Sequence, residues 1–95
     1  MAKSIMQTEK ECFMTGSIVN LHKHHIYAGG RRKISEKNGF WVWLRGDYHN
    51  QADYGVHGKN GHELDMTLKQ ICQARFEESH TRDDFIKLIG KSYLE

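Results

Sequence analysis

The run Phe40-Trp41-Val42-Trp43-Leu44 limits the fold more than any other stretch of the chain. It is apolar at every position, so periodicity alone does not separate a buried strand from a core helix. Its shortness and its aromatic and β-branched content decide for a strand. Arg45-Gly46-Asp47 closes it as a turn. Trp41 and Trp43 would share one face, because side chains alternate along a strand. Stacking on bases is one use for such a pair; packing or strand pairing is the commoner duty of two Trp in a small domain.

The second strand is expected at Leu21 to Tyr27, where His22, His24 and His25 put three imidazoles into four positions. Alternation gives His22 and His24 one face, and gives His25 the other with Leu21 and Lys23. Histidine is the commonest metal ligand and is readily tuned as a base near neutral pH. Adjacent histidines that point apart can therefore divide two tasks, one holding a metal and the other taking a proton. A run of histidines taken alone is more often incidental. A second polar set, His49-Asn50 with Asp53 and His57, gives this one weight.

The net charge is only +2, but Lys23, Arg31, Arg32 and Lys33 fall in a stretch with no acidic residue between Asn20 and Ser35. Such a patch attracts phosphates. The plainer alternative is a solvated loop after Gly29-Gly30. Two cysteines far apart, Cys12 and Cys72, make no disulfide framework. Cys12 has no second Cys nearby for a metal knuckle and reads as a buried small apolar residue. No apolar run is long enough to span a membrane. Met1 to Lys10 lacks the apolar core of a signal peptide, which points to the cytoplasm.

With 95 residues, one domain with a modest core is expected. Met1 to Glu11 reads as a polar arm or frayed helix, and Cys12 to Gly16 as a short strand ending in a turn. Gly29 to Asn38 reads as a basic, irregular connection, with Asn38-Gly39 as a turn. Asp47 can cap a helix that begins near Tyr48 and ends near Tyr54, before Gly55 and Gly58. Leu64 to Glu78 is a strong amphipathic helix, with Leu64, Leu68, Ile71, Cys72 and Phe76 inward and Lys69, Gln73 and Glu77 outward. Thr81-x-x-Asp84 resembles a capping box and starts a short helix, with Phe85, Leu88 and Ile89 inward and Gly90 as its stop. Tyr93 and Leu94 are expected to pack back. The class is α+β.

Strand, loop, strand, then a helix opening with His49 and Asn50 is the layout of a ββα-metal finger. Here the chain resembles the HNH nucleases. The resemblance lies in His24-His25-Ile26, the Trp-rich strand into Leu44, Tyr48-His49-Asn50 and Val56-His57. It continues through Leu64-Asp65, Leu68-Lys69, Gln73, Phe76-Glu77 and Phe85 to Tyr93-Leu94, a pattern similar to small phage-type HNH proteins and, more distantly, to RecA-dependent recombination-enhancement nucleases. The core motif covers about residues 12–60, and C-terminal packing helices occupy about 62–95.

The resemblance implies metal-dependent hydrolysis of DNA phosphodiesters. It makes His25 the general base, His24 and His49 metal ligands, and His57 the third His of the motif, bound to metal or to the scissile phosphate. It implies Mg²⁺ or Mn²⁺ as the ion, with Zn²⁺ or Ni²⁺ able to occupy the same site, and DNA as partner, together with a recombinase or other DNA-processing protein of a phage or bacterial host. The motif Asn falls on Asn50 or on Asn38. The cysteine knuckles that often brace the family are missing, so no structural zinc is expected. Helix geometry alone favours Asp53 over His57, since Asp53 lies one turn beyond His49. On a continuous helix His57 would sit ~12 Å along the axis from His49, and it reaches the same ion only if the chain turns back at Gly55. Two other classes stay open: a DNA-binding module that does not cut, and a small zinc-binding interaction adaptor.

Overall fold

In the computed structural model, which describes residues 3–94, two short strands pair antiparallel: β1 (Leu21–His25) and β2 (Trp41–Arg45). His24 lies opposite Val42, and His25 lies opposite Trp41. Alternation then sorts the faces. Val42 and Leu44 are fully buried on the inner side, and His24 goes with them. Lys23, His25, Trp41 and Trp43 occupy the outer side, half-buried.

A two-stranded sheet has too little core to stand alone. Here it packs on α2 (His62–Phe76) and α3 (Arg82–Ile89). Ile26, Phe40, Val42 and Leu44 join Leu68, Cys72, Phe76, Phe85 and Ile89 in one core cluster. Tyr27 and Phe40 meet edge-to-face with ring centroids 5.6 Å apart, and Tyr27 meets Phe85 at 5.4 Å. The result is a small α+β domain. No helix among the described residues is long and apolar enough to cross a membrane.

The ends of α3 follow the sequence pattern. The Thr81 hydroxyl accepts from Asp84 N, the Asp84 carboxylate accepts from Thr81 N, and Gly90 caps the far end in the left-handed region. On α2 the expected stripe is buried or half-buried, but Gln73, expected outside, is completely buried. Its amide explains the burial. Nε2 donates to Glu77 Oε2 and Ser92 Oγ, and Oε1 accepts from Tyr93 N, so Gln73 ties down the tail that was expected to pack back.

Several local expectations are corrected. Gly29 to Asn38 is not irregular: a 3₁₀ turn (Gly29–Arg31) leads into α1 (Arg32–Asn38). Asn38-Gly39 ends that helix, with Gly39 at φ 76° and its N–H on Ser35 O, where a free turn was expected. Cys12 to Gly16 is a turn closed by Cys12 N to Ser17 O and Gly16 N to Cys12 O, while Cys12 is buried as expected. After β2 there is no α-helix to Tyr54. A single π-helical turn (Asp47–Gln51) stands there, and Asp47 does not cap it. Its carboxylate is engaged by Arg45 and by the Tyr54 hydroxyl, which hold it well below the usual carboxylate range.

The described part of the N-terminal arm is neither helical nor loose. Ser4 Oγ donates to Trp41 O, Phe13 N donates to Trp43 O, and Trp43 N donates to Gln7 Oε1, so residues 4–13 cover one edge of β2. Met1 and Ala2, also placed in the arm, lie outside the described residues.

Loss of the α3 cap and of the α1 stop should be separable in urea. Thr81→Ala should cost about 1 kcal/mol, the usual value of such a cap. Gly39→Ala should cost more, because its Cβ would run into Lys3 O in a backbone conformation that disfavours side chains. Equal unfolding midpoints for Gly39→Ala and the parent would contradict the α1 termination described here.

Candidate functional site

Three histidines from three separate segments converge. His24 comes from the inner face of β1, His49 from the π turn and His57 from the loop beyond it. The ring centroids are 5.4 Å apart for His24 and His49, 5.3 Å for His24 and His57, and 4.8 Å for His49 and His57. One ring nitrogen from each lies within 4.8 Å of the others, close enough to hold a metal ion. In a tetrahedral site with bonds of roughly 2 Å, ligand atoms stand ~3.4 Å apart, so a small inward movement of the rings completes the set.

The local backbone explains why residues eight apart meet. Val56 N donates to Tyr48 O, and His57 N donates to His49 O, both at 2.9 Å. The chain therefore doubles back, and His57 lies beside His49 rather than two turns along an axis. Gly55 permits the reversal: a Cβ there would stand 2.6 Å from Asp47 O. Asp53, the alternative ligand, is exposed and accepts from Asn60 Nδ2 at 3.1 Å.

The electrostatics suit ligation. Burial, followed by the neighbouring imidazoles, pushes His24 down to about 3. The same causes push His49 down to about 4. Both rings are therefore neutral at pH 7 and keep a lone pair for a metal. His24 Nε2 is buried and has no hydrogen-bond partner among the described residues, an expensive state for a polar atom that a bound cation would relieve. His49 is braced from behind by His22, Nδ1 to Nδ1 at 3.0 Å. A second group of this kind fixes the ring orientation and tautomer of a metal-binding His.

The triad opens into a cavity of about 430 Å³ at the edge of β1. His25, Asn50, Lys23 and Arg32 line it with the triad. His25 reaches it from the outer face of the strand and stays largely buried, with Nε2 2.7 Å from Glu36 Oε1. Lys23 Nζ reaches the same carboxylate at 2.9 Å and stands 4.2 Å from the centroid of the Trp41 ring. Lys23 first, then His25, holds Glu36 below the usual carboxylate range.

The remaining sequence candidates lie elsewhere. The Arg31 guanidinium donates to Ile89 O and so ties the 3₁₀ turn to the end of α3. Lys33 is exposed on α1 and does not line the cavity. Asn38 donates to Ile34 O on its own helix and borders a separate cavity with Arg75 and His80, whereas Asn50 stands at the triad. Glu36 is a site residue that the sequence pattern does not mark on its own. Its signal was there in Arg32-Lys33-x-x-Glu36-Lys37, a run of helix formers stopped by Asn38-Gly39. Comparison with family models, curated proteins and solved structures gives no match.

The depressed His24 and His49 values set a pH dependence. In the unfolded chain both rings return toward their ordinary value of 6.5, so below that pH the unfolded state binds more protons. Stability of the metal-free chain should be level above pH 6.5 and fall progressively through the window down to about 3–4. Thermal melts between pH 7.5 and 4.5 read this, and His24→Asn should flatten the slope. A parent slope unchanged by that substitution would count against burial of a neutral His24.

Proposed function

We propose that the chain is a metal-dependent endonuclease of HNH type that hydrolyses DNA phosphodiester bonds. The observation that carries this reading is the placement of His25: adjacent in sequence to His24 but on the opposite face of β1, it lines the same cavity as the three-histidine cluster. A metal set and an independent proton acceptor in one cleft are the two parts that hydrolysis at a phosphate requires. The order of two antiparallel strands followed by a helical turn bearing His49 also supports a ββα-metal finger, with its helix reduced to one π turn.

In this reading His24, His49 and His57 would hold the ion, which would supply positive charge to the phosphate and its leaving group. His25 takes the proton of the water whose oxygen attacks phosphorus as the bond to the 3′ oxygen breaks. Arg32 offers charge to the phosphate at the cavity wall, and Asn50 offers an amide to orient substrate or water. An all-imidazole set favours Zn²⁺ or Ni²⁺ for tight retention, whereas oxygen ligands suit Mg²⁺ best, so Mn²⁺ is the first ion to test for cleavage. The same donor chemistry favours one second reading, a zinc-binding module that does not cut. A DNA-processing partner such as a recombinase, in the cytoplasm of a bacterium or phage-infected cell, fits the nuclease reading.

Nicking of supercoiled plasmid with Mn²⁺ or Mg²⁺, against EDTA, is the direct test. His25→Ala should lower cleavage by roughly 10²–10⁴-fold, the worth of a general base, while metal titration by calorimetry stays near the parent. His24→Ala and His57→Ala should weaken metal binding, and Asp53→Ala should not. Near-parent cleavage by a folded His25→Ala variant would sink the base assignment. Metal binding with no cleavage would favour the zinc module.

The basic residues divide by position. Arg32→Ala should lower DNA affinity and reduce the slope of log affinity against log salt by about 0.9, one phosphate contact on duplex DNA. Arg31→Ala should instead lower the melting temperature, since its guanidinium joins two parts of the fold. Fluorescence anisotropy across a salt series, read beside thermal melts, separates the two; the reverse pattern would reject this division.

A further inference from the structure

We propose that Glu36 is the positioning residue for His25: it accepts the Nε2 proton and so fixes the tautomer that leaves Nδ1 as the ring's proton acceptor. The use of that nitrogen as a base rests on the nuclease reading above; the tautomer does not. A carboxylate is acceptor-only when ionised, and a neutral imidazole has one N–H and one lone pair. At 2.7 Å from Glu36 Oε1, Nε2 must therefore be the donor. Lys23 Nζ, within 3.0 Å of both carboxylate oxygens, keeps Glu36 in the ionised, accepting form.

The fold presents this carboxylate deliberately. Ser35, which precedes it, is completely buried. Its hydroxyl donates to Tyr27 O at 2.6 Å and accepts from Tyr27 N at 3.1 Å. Two further bonds, Ile26 N to Phe40 O and Phe40 N to Ser35 O, close the ends of the same segment. Residue 35 is thus clipped to the chain just beyond β1, and the next side chain on α1 is delivered to His25. A base held by a neighbour in one tautomer is ready to accept a proton; in the other tautomer Nδ1 would carry a proton already. In a serine-protease triad, the same error costs roughly 10⁴-fold.

The test uses the full chain in two arms. Long-range nitrogen–proton NMR of the metal-free protein reads the His25 tautomer, and steady-state nicking of plasmid with Mn²⁺ separates kcat from KM. The parent should show His25 protonated on Nε2 alone. Glu36→Ala should populate both tautomers and lower kcat by roughly 10²-fold, within the range for general-base catalysis, with KM and metal affinity unchanged. Glu36→Gln replaces an acceptor-only carboxylate with an amide that also donates, so it should lose the single tautomer and lower kcat as Glu36→Ala does, with KM unchanged. A parent His25 protonated on Nδ1 would overturn the proposal. So would a Glu36→Ala variant that keeps the parent tautomer and kcat, or one whose loss is confined to KM, since Glu36 would then be only the partner of Lys23. If the parent cuts no DNA, the nuclease reading fails by itself, and the tautomers of parent, Glu36→Ala and Glu36→Gln still decide whether Glu36 holds the ring.

Discussion

Register in the β1–β2 pair governs everything at the site. With His24 opposite Val42 and His25 opposite Trp41, one imidazole turns toward the core and the next turns out. A slip by one residue would exchange the two faces along the whole strand. It would bury His25 and carry His24 away from His49 and His57. The register is pinned by Val42 and Leu44, which must face α2 and α3. It is pinned again by the N-terminal arm, which bonds to Trp41 and Trp43 along β2. Covering that edge leaves the cleft at β1, where the histidines gather.

Elements with a strong apolar signal were legible in the sequence. Both strands, the stripe of α2 and the Thr81–Asp84 cap of α3 stand within two residues of their expected limits. The errors cluster where a polar residue has two possible duties. Asn38-Gly39 reads equally as a turn and as a helix end; the ending helix is settled by contact with the arm, which local pattern does not carry. Asp47 is a good cap by composition, but a bidentate pairing with Arg45 and a bond from Tyr54 claim its carboxylate first. Gln73 sits on the polar side of α2 by periodicity and is buried because the tail closes over it.

At the site, residue type pointed to the three histidines that lie close enough to hold a metal ion, and spacing alone did not. His49 and His57 are too far apart for one helix, and the glycine between them was the clue that they are not on one. Glu36 is not legible because its segment reads as a loop by composition, where a side chain's direction has no period. Arg31 shows the converse. It belongs to a basic cluster by composition, yet a single carbonyl at the end of α3 takes its guanidinium for the fold. Charge counts locate a patch; they do not say which of its members are free to meet a ligand.

The connection between the strands has a consequence for how the cleft is acquired. A slack linker would let β1 and β2 close first and settle later, but here the linker contains α1, locked to Tyr27 by Ser35 and to Phe40 by its own last turn. Strand pairing and helix docking therefore stand or fall together, as one cooperative unit. His24 and His25 belong to that unit, whereas His49 and His57 lie on a segment closed by its own backbone bonds and anchored by Tyr48 and Val56 at the core. The cleft is thus assembled where two separately closed parts of the chain meet: one contributes a pair of histidines, and the other contributes the third together with its neighbour His25.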